Sequence, residues 1–199
     1  MKDNKGFSLL ELLVVIAVLA VMGTFVFVGL GLLTGQYARE CANDISAALS
    51  KEKSYSMTRS ATVDCYMELL YKSDGYYVRY YQPANAIATG KDGSGSLQGA
   101  DWIPAEEEKV GRSSVSVTCT LNVNGSTEEV TIDDTHSVKF VYDRTSGALK
   151  KAFMSDGVTD GIEENADEAF CENIMIQRGK TYEIKMYSAT GKHELTRTD

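Results

Sequence analysis

Histidine occurs only twice in these 199 residues, at His136 and His193, both on or beside polar turns, and neither has a serine or cysteine beside it in a nucleophile motif. That shortage leaves no recognisable catalytic constellation. The sequence also lacks a phosphate-binding glycine loop and a dinucleotide fingerprint, so it carries no nucleotide site of its own. The four cysteines, Cys41, Cys65, Cys119 and Cys171, show no C-x-x-C spacing and no nearby histidine, which argues against zinc. They are read either as buried thiols or as disulfides in an oxidising compartment, with three pairings open. Basic clusters are scarce as well. The formal net charge is -8, and the pairs Lys150 with Lys151 and Arg178 with Lys180 read as solvated strand ends or turns. An acidic chain repels polyanions, so nucleic acid is not expected as a partner.

What the sequence does have is an unusual N-terminus. From Leu12 to Leu33 the only polar residue is Thr24. As a helix this stretch would rise about 33 Å, against a hydrocarbon core of about 30 Å, and it reads as a transmembrane segment. It is preceded by the hydrophilic run Met1-Lys2-Asp3-Asn4-Lys5-Gly6, whose lysines favour a cytoplasmic N-terminus. An ordinary secretory signal has a shorter apolar region followed by a small-residue cleavage site, and neither feature stands out.

Beyond the apolar stretch the helical period continues to about Tyr55. Tyr37, Cys41, Ile45, Ala48 and Leu49 share one face, and Arg39, Glu40, Asn43, Ser50 and Lys51 the other. Glu52 falls on the apolar stripe, which predicts a peripheral last turn. Gly23, Gly29, Gly31 and Gly35 mark a soft middle.

After Ser60 the period becomes twofold. Val63, Cys65, Met67 and Leu69 alternate with polar residues, Ser73-Asp74-Gly75 supplies a turn, and Tyr76, Val78 and Tyr80 form the partner strand of a hairpin. The dense tyrosines are read as ordinary strand residues rather than as a contact surface. Thr89 to Gly99 is a loop. Strands resume with Val115, Val117, Cys119, Leu121 and Val123, and Asn124-Gly125 is a strong hairpin signal leading to Val130 and Ile132. Further strands are expected through Val138, Phe140 and Tyr142, from Ala148 to Met154, through Ile174 and Ile176, and, after a turn at Arg178-Gly179-Lys180, through Tyr182, Ile184 and Met186. Asp156, Asp160, Glu163, Glu164, Asp167 and Glu168 form an acidic run. Val158 stands where an EF-hand loop would need a ligand, so the run reads as a solvated loop rather than a calcium site. The expected fold class is α+β, one long helix and a mainly antiparallel sheet domain, with no cofactor, no metal and no catalytic residue.

Glu11 is the residue that needs explaining. A carboxylate inside a membrane helix costs about 2.5–3.5 kcal/mol on insertion scales and calls for a partner. Cleavage between Gly6 and Phe7 would create one, because the new α-amino group on Phe7 is cationic and sits in the same apolar layer of a neighbouring subunit.

Lys5-Gly6-Phe7-Ser8-Leu9-Leu10-Glu11-Leu12 resembles the prepilin cleavage and methylation motif of type IV pilins and type II secretion pseudopilins. The resemblance implies a leader, residues 1–6, removed by a membrane aspartic peptidase that also methylates the new N-terminal Phe7. It assigns leader cleavage to Gly6 and Phe7, N-methylation to Phe7 and assembly to Glu11. It implies a long helix over 7–60, with a transmembrane half at 7–33 and an amphipathic half at 34–60, and an external β-rich domain at 61–199. Its implied partners are other pilin subunits met through the N-terminal helix, the prepilin peptidase, a membrane assembly platform with a separate ATPase, and the inner or cytoplasmic membrane. Ala47-Ala48-Leu49, Ser54 to Arg59, Val138-Lys139-Phe140 before Ser146-Gly147, and a late hairpin ending in Thr190-Gly191 further resemble the GspH/FimT type of minor pseudopilin. Unlike many major pilins, the helix has no kinking proline. The expected function is a structural subunit, minor or initiating, of a pilus or secretion-type filament. The alternatives are a competence-type pilin that binds DNA directly and an unprocessed single-pass membrane protein with an external receptor or enzyme domain.

Overall fold

A computed structural model describes residues 9–58, 66–83, 102–155 and 169–198, with the side chains of 23–34, 82–83 and 102–105 outside that description. Gly6, Phe7, Val63, Cys65, the 89–99 loop and the acidic run within 156–168 therefore lie outside the described residues.

Among the described residues one helix, α1 (Leu9–Thr58), leads ten strands: β1 (Tyr66–Lys72), β2 (Gly75–Pro83), β3 (Trp102–Arg112), β4 (Ser116–Val123), β5 (Ser126–Thr131), β6 (Ser137–Tyr142), β7 (Leu149–Ser155), β8 (Ala169–Arg178), β9 (Lys180–Tyr187) and β10 (Lys192–Arg197). At 1.5 Å per residue α1 is about 75 Å long. The strands form two five-stranded sheets, ordered β3-β2-β1-β6-β7 and β10-β9-β8-β4-β5, and every neighbouring pair within them is antiparallel. The fold is α+β, as the change of period along the chain implies.

The core forms where the second half of α1 meets both sheets. Ala38, Cys41, Ala42, Ile45, Ala48 and Leu49 are buried together with Met67, Leu69, Val78 and Phe140 of the first sheet and Val117, Leu121, Ile174, Ile176 and Ile184 of the second. The alternating residues on β1, β2 and β4 take the inward positions their period requires. Glu52 differs from expectation. It is only 1% exposed, so the helix is buried one turn further than a carboxylate on the stripe implied. Ser56, one turn on, is buried too.

The hairpins follow their turn chemistry. Asn124 and Gly125 have φ of 52° and 84°, the left-handed pair that a two-residue hairpin of the primed type needs. Gly75 closes the β1–β2 turn opposite Lys72. Two strands were not expected. β3 carries Glu106, Glu107 and Glu108 in succession, which breaks a twofold apolar pattern. It is an edge strand whose carboxylates are paired across the sheet and to the helix: Lys51 with Glu106 at 2.9 Å and with Glu108, Lys72 with Glu107, and Arg79 with Glu107 at 3.0 Å. β10 is a second edge, mostly polar, pairing residue by residue with β9 from Lys192 opposite Tyr187 to Arg197 opposite Tyr182. Tertiary partners rather than local pattern make both of these strands.

The tyrosines are core and sheet residues. Tyr66, Tyr76, Tyr80, Tyr81 and Tyr142 are buried. Tyr37 has two guanidinium groups against its ring, with Arg112 4.2 Å and Arg178 4.8 Å from its centre. Lys180 packs its stem against Gly35. Arg178 and Lys180, read as solvated turn residues, thus brace the helix where it enters the domain.

Candidate assembly site

Of the three residues singled out at the N-terminus, Gly6 and Phe7 lie outside the described residues. Glu11 stands in the first turn of α1. Around it the helix displays an almost unbroken apolar surface, with Leu9, Leu10, Leu12, Leu13, Val14, Ile16, Val18, Leu19 and Met22 each more than half exposed. A single carboxylate thus sits at the start of an apolar rod that the sheets leave uncovered from Leu9 to Met22. In contrast, Ala38, Cys41 and Ala42 are fully covered. Apolar surface of this extent needs a second apolar phase, either lipid or other helices. Among the described residues no helix is long and apolar enough to cross a membrane. The apolar stretch itself continues through residues 23–34, where the side chains are outside the description.

The exposed rod is held to the domain by polar clamps on both flanks of α1. On one side Lys51 pairs with the β3 carboxylates and lies 4.4 Å from the ring centre of Tyr80. On the other, Lys53 Nζ donates to the Thr190 carbonyl at 2.8 Å. His193 on β10 stands 3.0 Å from Ser46 Oγ and 3.4 Å from Ser50 Oγ. His193, read from sequence as lying on or beside a polar turn, follows the β9–β10 turn as part of a strand and is half-buried against the helix. Burial lowers the pKa of its imidazole below the ordinary value, opposed by a hydrogen bond the ring donates to the Ser46 backbone carbonyl and reinforced by the charge of Lys53.

A second polar assembly, unforeseen from sequence, lies on the face of the first sheet opposite the core. Glu68 is buried and accepts hydrogen bonds from Tyr81 OH at 2.9 Å and Ser137 Oγ at 2.6 Å. Tyr81 stacks on Tyr66 with ring centres 4.4 Å apart, and Arg79 Nη1 donates to Tyr81 OH at 3.0 Å. Lys139, buried as well, is registered opposite Glu68 with its Nζ 5.7 Å from the Tyr66 ring centre. Burial raises the Tyr81 pKa, Arg79 opposes that rise and Glu68 adds to it, so the phenol stays a donor. The one sequence signal for this assembly was polar residues at the outward positions of an alternating strand, which ordinarily marks a solvated face. Burial on both faces is a tertiary fact.

Among the described residues no group of three or more His, Cys, Asp or Glu side chains is placed to hold a metal ion. The acidic run considered for calcium is outside them.

Residues 1–27 match the family model described as the prokaryotic N-terminal methylation motif. The chain therefore carries a type IV pilin-like leader motif, placed where Gly6, Phe7 and Glu11 suggested it. The match ends before the β domain. No curated protein and no solved structure matches the chain.

Proposed function

We propose that this chain is a minor or initiating subunit of a type IV pilus or a type II secretion-like filament, stored in the membrane and assembled after its leader is removed. The observation that carries this reading is the coincidence of the methylation motif at residues 1–27 with a 50-residue helix whose first turns are apolar, exposed and interrupted only by Glu11. A helix that is bare at one end and wrapped by two sheets at the other divides the labour of a filament subunit. The bare end moves from lipid to a bundle of like helices, and the wrapped end forms the coat.

In the proposed assembly step, leader removal exposes the Phe7 amine, and Glu11 of the adjacent subunit offsets its charge in the apolar layer. The prepilin peptidase, a platform protein and a separate ATPase would act on the chain, and it need perform no chemistry itself. The segments quoted for the GspH/FimT likeness, Ser146-Gly147 and Thr190-Gly191, are distant in sequence and come together beside the helix end at Lys53 and Met57.

Mass spectrometry of the N-terminus, from cells that make a prepilin peptidase, tests this. The expected mature chain begins at Phe7 and bears an N-methyl group. An intact Met1 end, or a cut after Leu33, would overturn the filament reading in favour of an unprocessed membrane protein.

A further inference from the structure

Three of the four cysteines are among the described residues, and all three are buried. They do not share one environment. Cys41 belongs to α1 and packs its Sγ against Gly111 of β3, at the edge of the first sheet. Cys119 and Cys171 lie on β4 and β8, adjacent strands in the second sheet.

The register explains why these two meet. Along β4 the inward residues are Val117, Cys119 and Leu121; along β8 they are Cys171, Ile174 and Ile176. Cys171 and Ile174 are three apart, and a regular strand would put them on opposite faces. A bulge resolves this. Thr120 pairs with Asn173 and Leu121 with Cys171, so Glu172 is the extra residue. Its carboxylate accepts from Asn122 Nδ2 at 2.7 Å. The bulge turns Cys171 to the core on the face of its diagonal neighbour Cys119, close enough for the two thiols to interact, with Cys171 Sγ 3.2 Å from the Asn173 carbonyl.

We propose that Cys119 and Cys171 close a disulfide in the exported domain and make the β4–β8 pairing covalent. This rests on the β domain being outside the cytoplasm, where thiols are not kept reduced. Each sulfur gives up its proton, two electrons pass to a disulfide oxidant of the thiol–disulfide exchange class, and that oxidant leaves as two thiols. Both side chains are fully buried, so the exchange takes place while β8 docks on β4, before the core closes. The location has a structural consequence. β4 and β5 are separated from β8, β9 and β10 in the chain by β6 and β7 of the other sheet, and the β4–β8 pairing alone unites the two halves of the second sheet. A covalent bond there resists the separation that a pull along a filament would cause.

The test is to quench cells that express the full chain in acid, alkylate free thiols, and map the mature protein by mass spectrometry with and without reduction. The expected result is a Cys119–Cys171 linked peptide, two hydrogens lighter than the reduced pair, in chains that begin at Phe7. Free Cys119 and Cys171 in chains beginning at Phe7, or a different pairing, would overturn the proposal while leaving the filament reading intact. If chains instead begin at Met1 with free thiols, the filament reading has failed. The pair is then judged by refolding the purified full chain in detergent with oxidised glutathione: linkage of 119 to 171 supports it, and no bond or another pairing overturns it. Reduction of the linked protein is expected to lower its unfolding temperature by about 10 °C, because the bridge closes a long loop. The Cys119→Ser, Cys171→Ser double variant should not respond to reductant.

Discussion

Gly191 lies so close to Gly147 that a Cβ on Gly191 would stand 1.9 Å from the Gly147 carbonyl oxygen. Both glycines have left-handed φ, 59° and 67°, and a Cβ on Gly147 would in turn stand 2.7 Å from Met57 Sδ. The β6–β7 and β9–β10 turns thus meet backbone to backbone with no room for a side chain on Gly191, and the end of α1 covers Gly147 with the Met57 and Lys53 side chains. Leu149 N also donates to the Ser188 carbonyl, at 2.9 Å, tying the two turns together.

Gly191→Ala is therefore expected to destabilise the domain by about 2–4 kcal/mol, combining positive-φ strain with a backbone collision. Gly125→Ala is the control. Its φ is 84° but nothing lies within 4 Å of the added Cβ, so only the strain remains, about 1–2 kcal/mol. Thermal unfolding of the detergent-solubilised chain, followed by near-ultraviolet circular dichroism, measures both. Equal losses would show that the close approach of the two turns contributes nothing.

The buried Glu68 gives a second expectation. Glu68→Ala removes the carboxylate that Tyr81 OH and Ser137 Oγ share, while Ser137 Oγ keeps the Ser155 carbonyl at 3.4 Å, and should cost about 1–3 kcal/mol in all. Glu68→Gln keeps one acceptor oxygen and should lose less. Chemical unfolding of the two variants beside wild type makes the comparison, and a Gln variant no better than Ala would mean that the charge, not the hydrogen bonding, holds the assembly.

His193 makes the clamp between β10 and α1 sensitive to acid. Its folded pKa is lowered by burial, so the unfolded chain binds the proton more readily. That contribution to stability is present above the ordinary imidazole value of 6.5 and is lost as pH falls from there through the lower folded value. Wild type should lose stability on going from pH 7.5 to pH 5, and His193→Gln should show a flatter profile over that window. Hydrogen exchange of β10 amides localises the effect. Identical pH profiles for the two proteins would remove His193 from the clamp.

Glu11 tests the proposed assembly step. Glu11→Ala removes a charge from an apolar surface, so membrane insertion should be intact or improved, and cleavage before Phe7 should persist because the junction itself is unchanged. Incorporation into sheared filaments should fail. Glu11→Gln should behave alike, since it keeps size and hydrogen bonding but not the charge that a buried ammonium requires. Immunoblots of sheared filament and membrane fractions at matched expression give the answer; wild-type incorporation of both variants would show that Glu11 serves only to reach the headgroup region.

The sequence by itself determined the features that depend on neighbours along the chain. The apolar stretch, the change from a helical to a twofold period, the Asn124-Gly125 turn and the cleavage motif are set by spacing and by local backbone chemistry. The tertiary structure decided what distant residues do to one another. It made a strand of Glu106–Glu108 by supplying Lys51, Lys72 and Arg79, and it buried Glu52 and Glu68, whose charge alone predicts exposure. It packed His193, beside its turn, against the helix, and through one extra residue at Glu172 it brought Cys119 and Cys171 to the same face. Burial and pairing between segments are properties of packing, and no local period encodes them.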